Sequence, residues 1–272
     1  MNVQGLGDLD TPVLLFGGPY SNLQATHALR AEATRLGIAP DHVICTGDVV
    51  AYCADSAATV AEIRDWGCVV VAGNCEKQLA TDALDCGCGF EEGTVCDLLS
   101  AAWYAHANAQ IGADDRRWMG RCPDIVTFAQ AGRRFAVIHG GLSDVSRFLW
   151  PTSPDAAFQQ EIDLITSSVG PVHGVIAGHC GLAFTRRIGG VDWINAGVIG
   201  MPPNDGRPQT RFAVLAGGQA HIHMLDYDAQ AARVAMEQAG LVQGYHTGLT
   251  GGYWPSEEVL PPELRGAALA SG

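Results

Sequence analysis

The chain has 272 residues, 47% hydrophobic and 17% charged, with 29 acidic against 16 basic residues and a net charge of −13, enough for one large domain or two small ones around a sizeable core. Such an acidic surface, with Lys77 as its single lysine, argues against binding nucleic acid or an anionic membrane, while a small anionic substrate stays compatible if a bound cation dominates the local field. No apolar run reaches about 18 residues, so no transmembrane helix is expected.

Met1–Asp10 has neither a basic nor an apolar leader-like region, so no signal peptide is read and a cytoplasmic location is expected. Val13–Phe16 reads as a short buried strand, followed by a helix over Asn22–Leu36. Val43–Cys45, a helix over Ala57–Asp65 and a strand over Cys68–Ala72 continue a β-α-β-α-β pattern, which favours a largely parallel sheet. Asp85–Gly93 is a loop by its glycines. Helices over Thr94–Ala109 and Ala113–Met119 precede a hairpin of Ile125–Ala129 and Phe135–Ile138. A helix over Pro154–Ser168 leads to a strand at Val172–Ile176. Ala183–Ile188, Val191–Asn195, Phe212–Leu215 and His221–Leu225 are further strands, and Tyr227–Gln238 is a late helix. The expectation is one domain over residues 1–240, built as two stacked sheets with helices outside. A Gly/Pro-rich tail over 241–272 is expected to pack on its surface, with Tyr253-Trp254-Pro255 covering either an apolar edge or a partner surface.

Four of the apolar runs end in metal-ligand residues: Gly47-Asp48, Gly73-Asn74-Cys75-Glu76, His139-Gly140 and Gly178-His179-Cys180. In an open α/β sheet, ligands gather outside the carboxyl ends of the strands, so Asp48, Asn74, His139 and His179 can converge on one cation. The set is mixed nitrogen and oxygen without thiolate, which suits manganese, iron or zinc as a divalent or trivalent ion.

With these motifs the chain resembles the calcineurin-like metallophosphoesterases, in particular their small bacterial phosphodiesterase-like branch. The resemblance runs over roughly residues 12–240. It includes Asn22-Leu23-Gln24-Ala25 after the first block and Asn195-Ala196-Gly197-Val198-Ile199-Gly200-Met201-Pro202 after the last. It implies a four-layer α/β/β/α sandwich of two mixed sheets flanked by helices, and metal-dependent phosphoester hydrolysis of a diester or monoester. The family's first block is Asp-x-His, and its last is Gly-His-x-His. Here the first-block Asp falls on Gly18 and its His on Tyr20, the third-block His on Cys75, and the second His of the last block on Gly181. The resemblance therefore implies that one of two metal sites has lost every private ligand. The other keeps all four, Asp48, Asn74, His139 and His179, for one ion per chain.

Two other classes of function stand beside hydrolysis: a non-hydrolytic mononuclear iron or thiolate-assisted redox or sensor protein, and a catalytically silent binding protein of the same fold. The redox class draws on Tyr20, Cys75, Cys86, Cys88, Cys96 and Cys180 as an additional site, against the plainer reading that Tyr20 fills vacated volume and the cysteines pack as small apolar groups. Nine cysteines in a reducing compartment are expected as thiols or metal ligands rather than a disulfide framework. Cys45 and Cys68, within strands, are expected to be core residues. Glu76 is a candidate leaving-group acid. Asn22 at a helix start and Arg186, beside Arg187, are candidate substrate contacts, with Arg147 and Arg211 as weaker ones. The expected partner is a small phosphorylated substrate, and a homo-oligomer is compatible with the sequence.

Overall fold

The computed structural model describes residues 1–90 and 93–266. In chain order these form β1 (Val3–Asp8), β2 (Val13–Phe16), α1 (Leu23–Arg35), β3 (Val43–Cys45), α2 (Ser56–Trp66), β4 (Val69–Val70) and α3 (Asn74–Ala80). Next come α4 (Val95–Gln110), α5 (Ala113–Met119), β5 (Ile125–Gln130), β6 (Arg133–Val137), α6 (Asp155–Val169) and β7 (Gly174–Ala177). Finally β8 (Ala183–Ile188), β9 (Val191–Ala196), β10 (Thr210–Ala216), β11 (Gln219–Leu225), α7 (Ala229–Gln238) and α8 (Tyr245–Gly251) close the chain.

The strands form two mixed sheets, ordered β1-β5-β6-β7-β9-β8 and β11-β10-β2-β3-β4. Strand alternation builds the layers. In β2, Val13 and Leu15 join a core that also takes Val126, Phe135 and Ile176 from the other sheet, while Leu14 and Phe16 point to the opposite face. That outer face is covered by α1, α2 and α4 through Leu29, Ile63 and Trp103. The six-stranded sheet is covered on its outside by α6 through Phe158, Ile162 and Ile165. The result is the four-layer α/β/β/α sandwich.

Two elements depart from the sequence reading. β1 pairs in parallel with β5 but is largely exposed, so it carries no apolar run to betray it. The strand expected over Cys68–Ala72 shortens to Val69–Val70, and the metal-ligand segment after it opens a helix, α3. The tail holds a helix, α8, and Leu260, only 1% exposed, sits in the core outside the six-stranded sheet. Two residues of the Asp85–Gly93 loop, 91 and 92, lie outside the described residues, as do the last six of the tail, 267–272. No helix among the described residues is long and apolar enough to cross a membrane.

Candidate metal centre

Asp48 follows β3 and Asn74 opens α3 just after β4, so both come from the five-stranded sheet. His139 follows β6 and His179 follows β7, parallel neighbours in the other sheet. Parallel strands end on the same side, and the four side chains meet there, all buried. Nε2 of His139 lies 3.2 Å from Oδ2 of Asp48, 3.1 Å from Oδ1 of Asn74 and 3.0 Å from Nδ1 of His179. The ligand atoms of Asp48, His139 and His179 all fall within 4.8 Å of one another.

The far side of each group decides what faces inward. Nδ1 of His139 stands 2.6 Å from the Thr46 carbonyl oxygen, which only a ring N–H can satisfy, so Nε2 is the nitrogen left to face the cluster. Asn74 donates through Nδ2 to the Cys86 carbonyl at 2.9 Å, which turns Oδ1 inward. Asp48 accepts the Cys75 N–H on Oδ1 at 3.2 Å and keeps Oδ2 for the centre. The oxygen and nitrogen atoms crowded at 3.0–3.2 Å around Nε2 can share a proton there or, in its place, a cation, which fits this mixed donor set.

Burial opposes charge on His139, but Asp48 outweighs it and raises the ring above its ordinary value, so a cation at Nε2 would take the place of a proton there. Burial opposes charge on Asp48, but His139 outweighs it and holds the carboxyl below its ordinary range. Burial, then His139, push His179 down to about 3, against an opposing pull from Asp48. His179 is thus held neutral, the form that binds metal. Its Nε2 is buried without a hydrogen-bond partner.

Glu76 is not where a leaving-group acid would stand. Its carboxylate accepts the backbone N–H groups of Asp48, Val49 and Gly73, each at 2.8 Å. Burial and the nearby Asp48 raise its pKa to about 7. Glu76 therefore clamps the Asp48 turn, whose φ of 57° is a left-handed conformation that a non-glycine residue holds only under such constraint. Gly73 permits the clamp: a Cβ there would collide with the Asp48 carboxylate and come within 2.9 Å of Glu76 Oε2.

A family model for the calcineurin-like phosphoesterase superfamily domain matches residues 21–218. This chain belongs to that superfamily. Among solved structures it is similar to a hypothetical protein from Pyrococcus horikoshii OT3, at 13% identity and a TM-score of 0.71 over 89% of this chain and 98% of the other. It is also similar to a metallophosphoesterase from Sphaerobacter thermophilus, at 17% identity and a TM-score of 0.70 over 90% of this chain and all of the other. At these identities the likeness is one of fold. No curated protein matches the sequence.

The resemblance assigns the lost ligands to positions 18, 20 and 181, and at 18 and 181 an added Cβ would meet an aromatic ring. A Cβ on Gly18 would lie 2.5 Å from Cζ of Tyr20, so the Tyr20 ring occupies the space into which a side chain at position 18 would project. A Cβ on Gly181 would meet the Trp254 ring at 3.3 Å, so the tail covers the second gap. Burial and then Asp48 push the Tyr20 phenol well above its ordinary range, so it stays protonated. Its ring fills the space beside Gly18, in keeping with the volume-filling reading.

The cysteine expectation needs correction. Cys86 and Cys88 are joined in a disulfide, so neither offers a thiolate. Cys75 and Cys180 are free and buried, and burial raises both thiols, Cys180 to about 12. Cys96 is also free and buried, and Cys45 and Cys53 are buried in the core outside the five-stranded sheet. Cys68 is partly buried against the same core.

The structure does not bring the two substrate-contact candidates to the centre. Asn22 caps α1 by accepting the Ala25 N–H at 3.0 Å and gives its amide to the Gly200 carbonyl at 3.1 Å. Arg186 pairs with Asp155 and donates to the carbonyls of Pro151 and Ser153, so it braces the start of α6. What the sequence did not single out is the lining of the adjoining narrow cavity, about 60 Å³, where Tyr52, Phe148, Trp150 and Tyr245 join Tyr20 and Trp254. Tyr52 lies in the loop before α2, Phe148 and Trp150 in the loop before α6, and Tyr245 opens α8; none of them carries a motif.

Proposed function

We propose that this protein is a metal-dependent phosphoesterase working with one cation held by Asp48, Asn74, His139 and His179. The observation that carries this is the convergence of four inward-facing ligand side chains beside two positions, 18 and 181, where an added Cβ would meet the ring of Tyr20 or Trp254. When bound, such a cation supplies Lewis acidity toward a phosphoryl oxygen and makes water a competent nucleophile near neutral pH. The chain's part is preorganisation: Thr46 and Cys86 aim His139 and Asn74 through their backbone carbonyls, and Glu76 fixes Asp48. The aromatic cavity beside them restricts water around a bound ester. Manganese, iron and zinc all suit the donor set, and the substrate is a small phosphoester. A cytoplasmic setting belongs to the proposal, on the seven cysteines left as free thiols.

Elemental analysis of freshly purified protein tests it, beside Asp48→Ala and His179→Ala. Roughly one equivalent per chain, lost in both variants, is expected. The intact protein should hydrolyse bis(4-nitrophenyl) phosphate in a chelator-sensitive way, and neither variant should. Two equivalents would overturn the single-cation reading, and none would make this a binding protein of the same fold.

A further inference from the structure

The cavity beside the metal centre is unusual for an anion site in what it lacks. Among the described residues, Asp48 is its sole carboxylate, and no lysine or arginine lines it. The cationic side chains that could have reached a phosphate are engaged elsewhere. Arg147 pairs with Glu161, Arg186 with Asp155, Arg187 with Asp192, Arg211 with Asp205 and Lys77 with Asp124. In place of cations stand aromatic rings. Tyr20 meets Tyr52 edge-on at 4.8 Å between centroids, and Tyr52 leans on Tyr245 at 4.6 Å. Phe148 stacks on Trp150 at 5.1 Å and lies 4.3 Å from the His179 ring, so this aromatic cluster begins against a metal ligand.

Charge decides which phosphoester such a cavity accepts. A divalent cation beside the Asp48 carboxylate leaves at most one net positive charge, and the described lining adds no further positive charge. A phosphodiester carries one negative charge and is neutralised. A phosphomonoester dianion or a polyphosphate would leave excess charge in apolar surroundings, which is costly. The rings then reward a flat apolar substituent on the ester. We propose that the site is selective for monoanionic phosphodiesters bearing an aromatic or similarly flat apolar group, with Phe148 and Tyr245 as binding residues for that group. This rests on the one-cation reading above.

Equilibrium binding separates the two ideas. Protein supplemented with manganese(II), and in parallel with zinc(II), is titrated with diphenyl phosphate, phenyl phosphate and dimethyl phosphate. Binding is followed by calorimetry and by the phenyl proton resonances of the ligands. Diphenyl phosphate should bind about tenfold more tightly than either of the others, with its phenyl resonances shifted upfield by ring currents. Phe148→Leu should erase most of the advantage over dimethyl phosphate while cation stoichiometry stays unchanged. A bound cation with phenyl phosphate preferred, or with dimethyl phosphate equal to diphenyl phosphate, overturns the substrate class and leaves the one-cation reading standing. Failure of any cation to bind overturns both.

Discussion

Glu76 is fully buried, and its three backbone N–H donors are what make that burial tolerable. Two of those donors belong to the turn that presents Asp48, so the carboxylate acts on the metal centre through geometry rather than contact. Glu76→Gln keeps the size but offers one oxygen and an N–H₂ group where three N–H groups point. One donor is then left facing a donor, at a cost of about 1–3 kcal/mol in stability. Loosening Asp48 should also weaken cation binding by about 10–100-fold, the usual effect of losing a residue that orients a ligand. Urea unfolding and metal titration of the same variant check both effects; unchanged metal affinity would show that Asp48 does not depend on the clamp. The four ligands themselves were legible in the sequence, because each sits at the end of an apolar run. The role of Glu76 was not, since its partners are backbone groups brought from residue 48, and the Thr46 carbonyl that orients the His139 ring leaves no side-chain trace at all.

Among the elements, the regular ones were readable where periodicity and burial coincide. α5 and β8 fall at Ala113–Met119 and Ala183–Ile188 as the sequence suggested, whereas β1 is hidden by its exposure and α3 by the strand-like run before it. Composition misled most in the tail. A Gly/Pro-rich stretch reads as surface wrapping, yet Tyr245, Leu249 and Leu260 are buried, and Trp254 donates its indole N–H to the Pro202 carbonyl at 2.7 Å while covering Gly181. The tail therefore forms part of the wall of the site. Leu260→Ala removes a fully buried side chain and should cost about 2–5 kcal/mol. Trp254→Ala should instead leave stability less affected and open the cavity, so that a bulky diester binds faster and a small one less tightly. Urea midpoints for both variants, with association rates for diphenyl phosphate, check these outcomes. If Leu260→Ala unfolds at the wild-type midpoint, the tail does not contribute to the core.

At the scale of the whole molecule, small sulfur side chains help to fill the core. Cys45 and Cys53 pack in the core outside the five-stranded sheet, and burial raises both thiols above their ordinary value of 9.0. The sequence placed Cys45 there because it lies in an apolar strand. Nothing marked Cys53, which sits in the loop before α2 and reaches the core only through the tertiary turn joining Tyr20 to Cys53. A raised pKa in the folded state means that folding favours the protonated thiol. The stabilisation is then complete below pH 9, the unfolded value, and is lost as pH rises toward the folded values. The urea midpoint should therefore hold steady from neutral pH to about 9 and fall progressively above it, with each unit of pH per thiol worth up to about 1.4 kcal/mol. Cys45→Ala with Cys53→Ala should flatten that alkaline decline, at the expense of some stability at neutral pH. A double variant that declines as steeply as the parent would place the alkaline sensitivity in other buried groups instead, the thiols of Cys75 and Cys180 and the phenols of Tyr52 and Tyr20, all raised by burial.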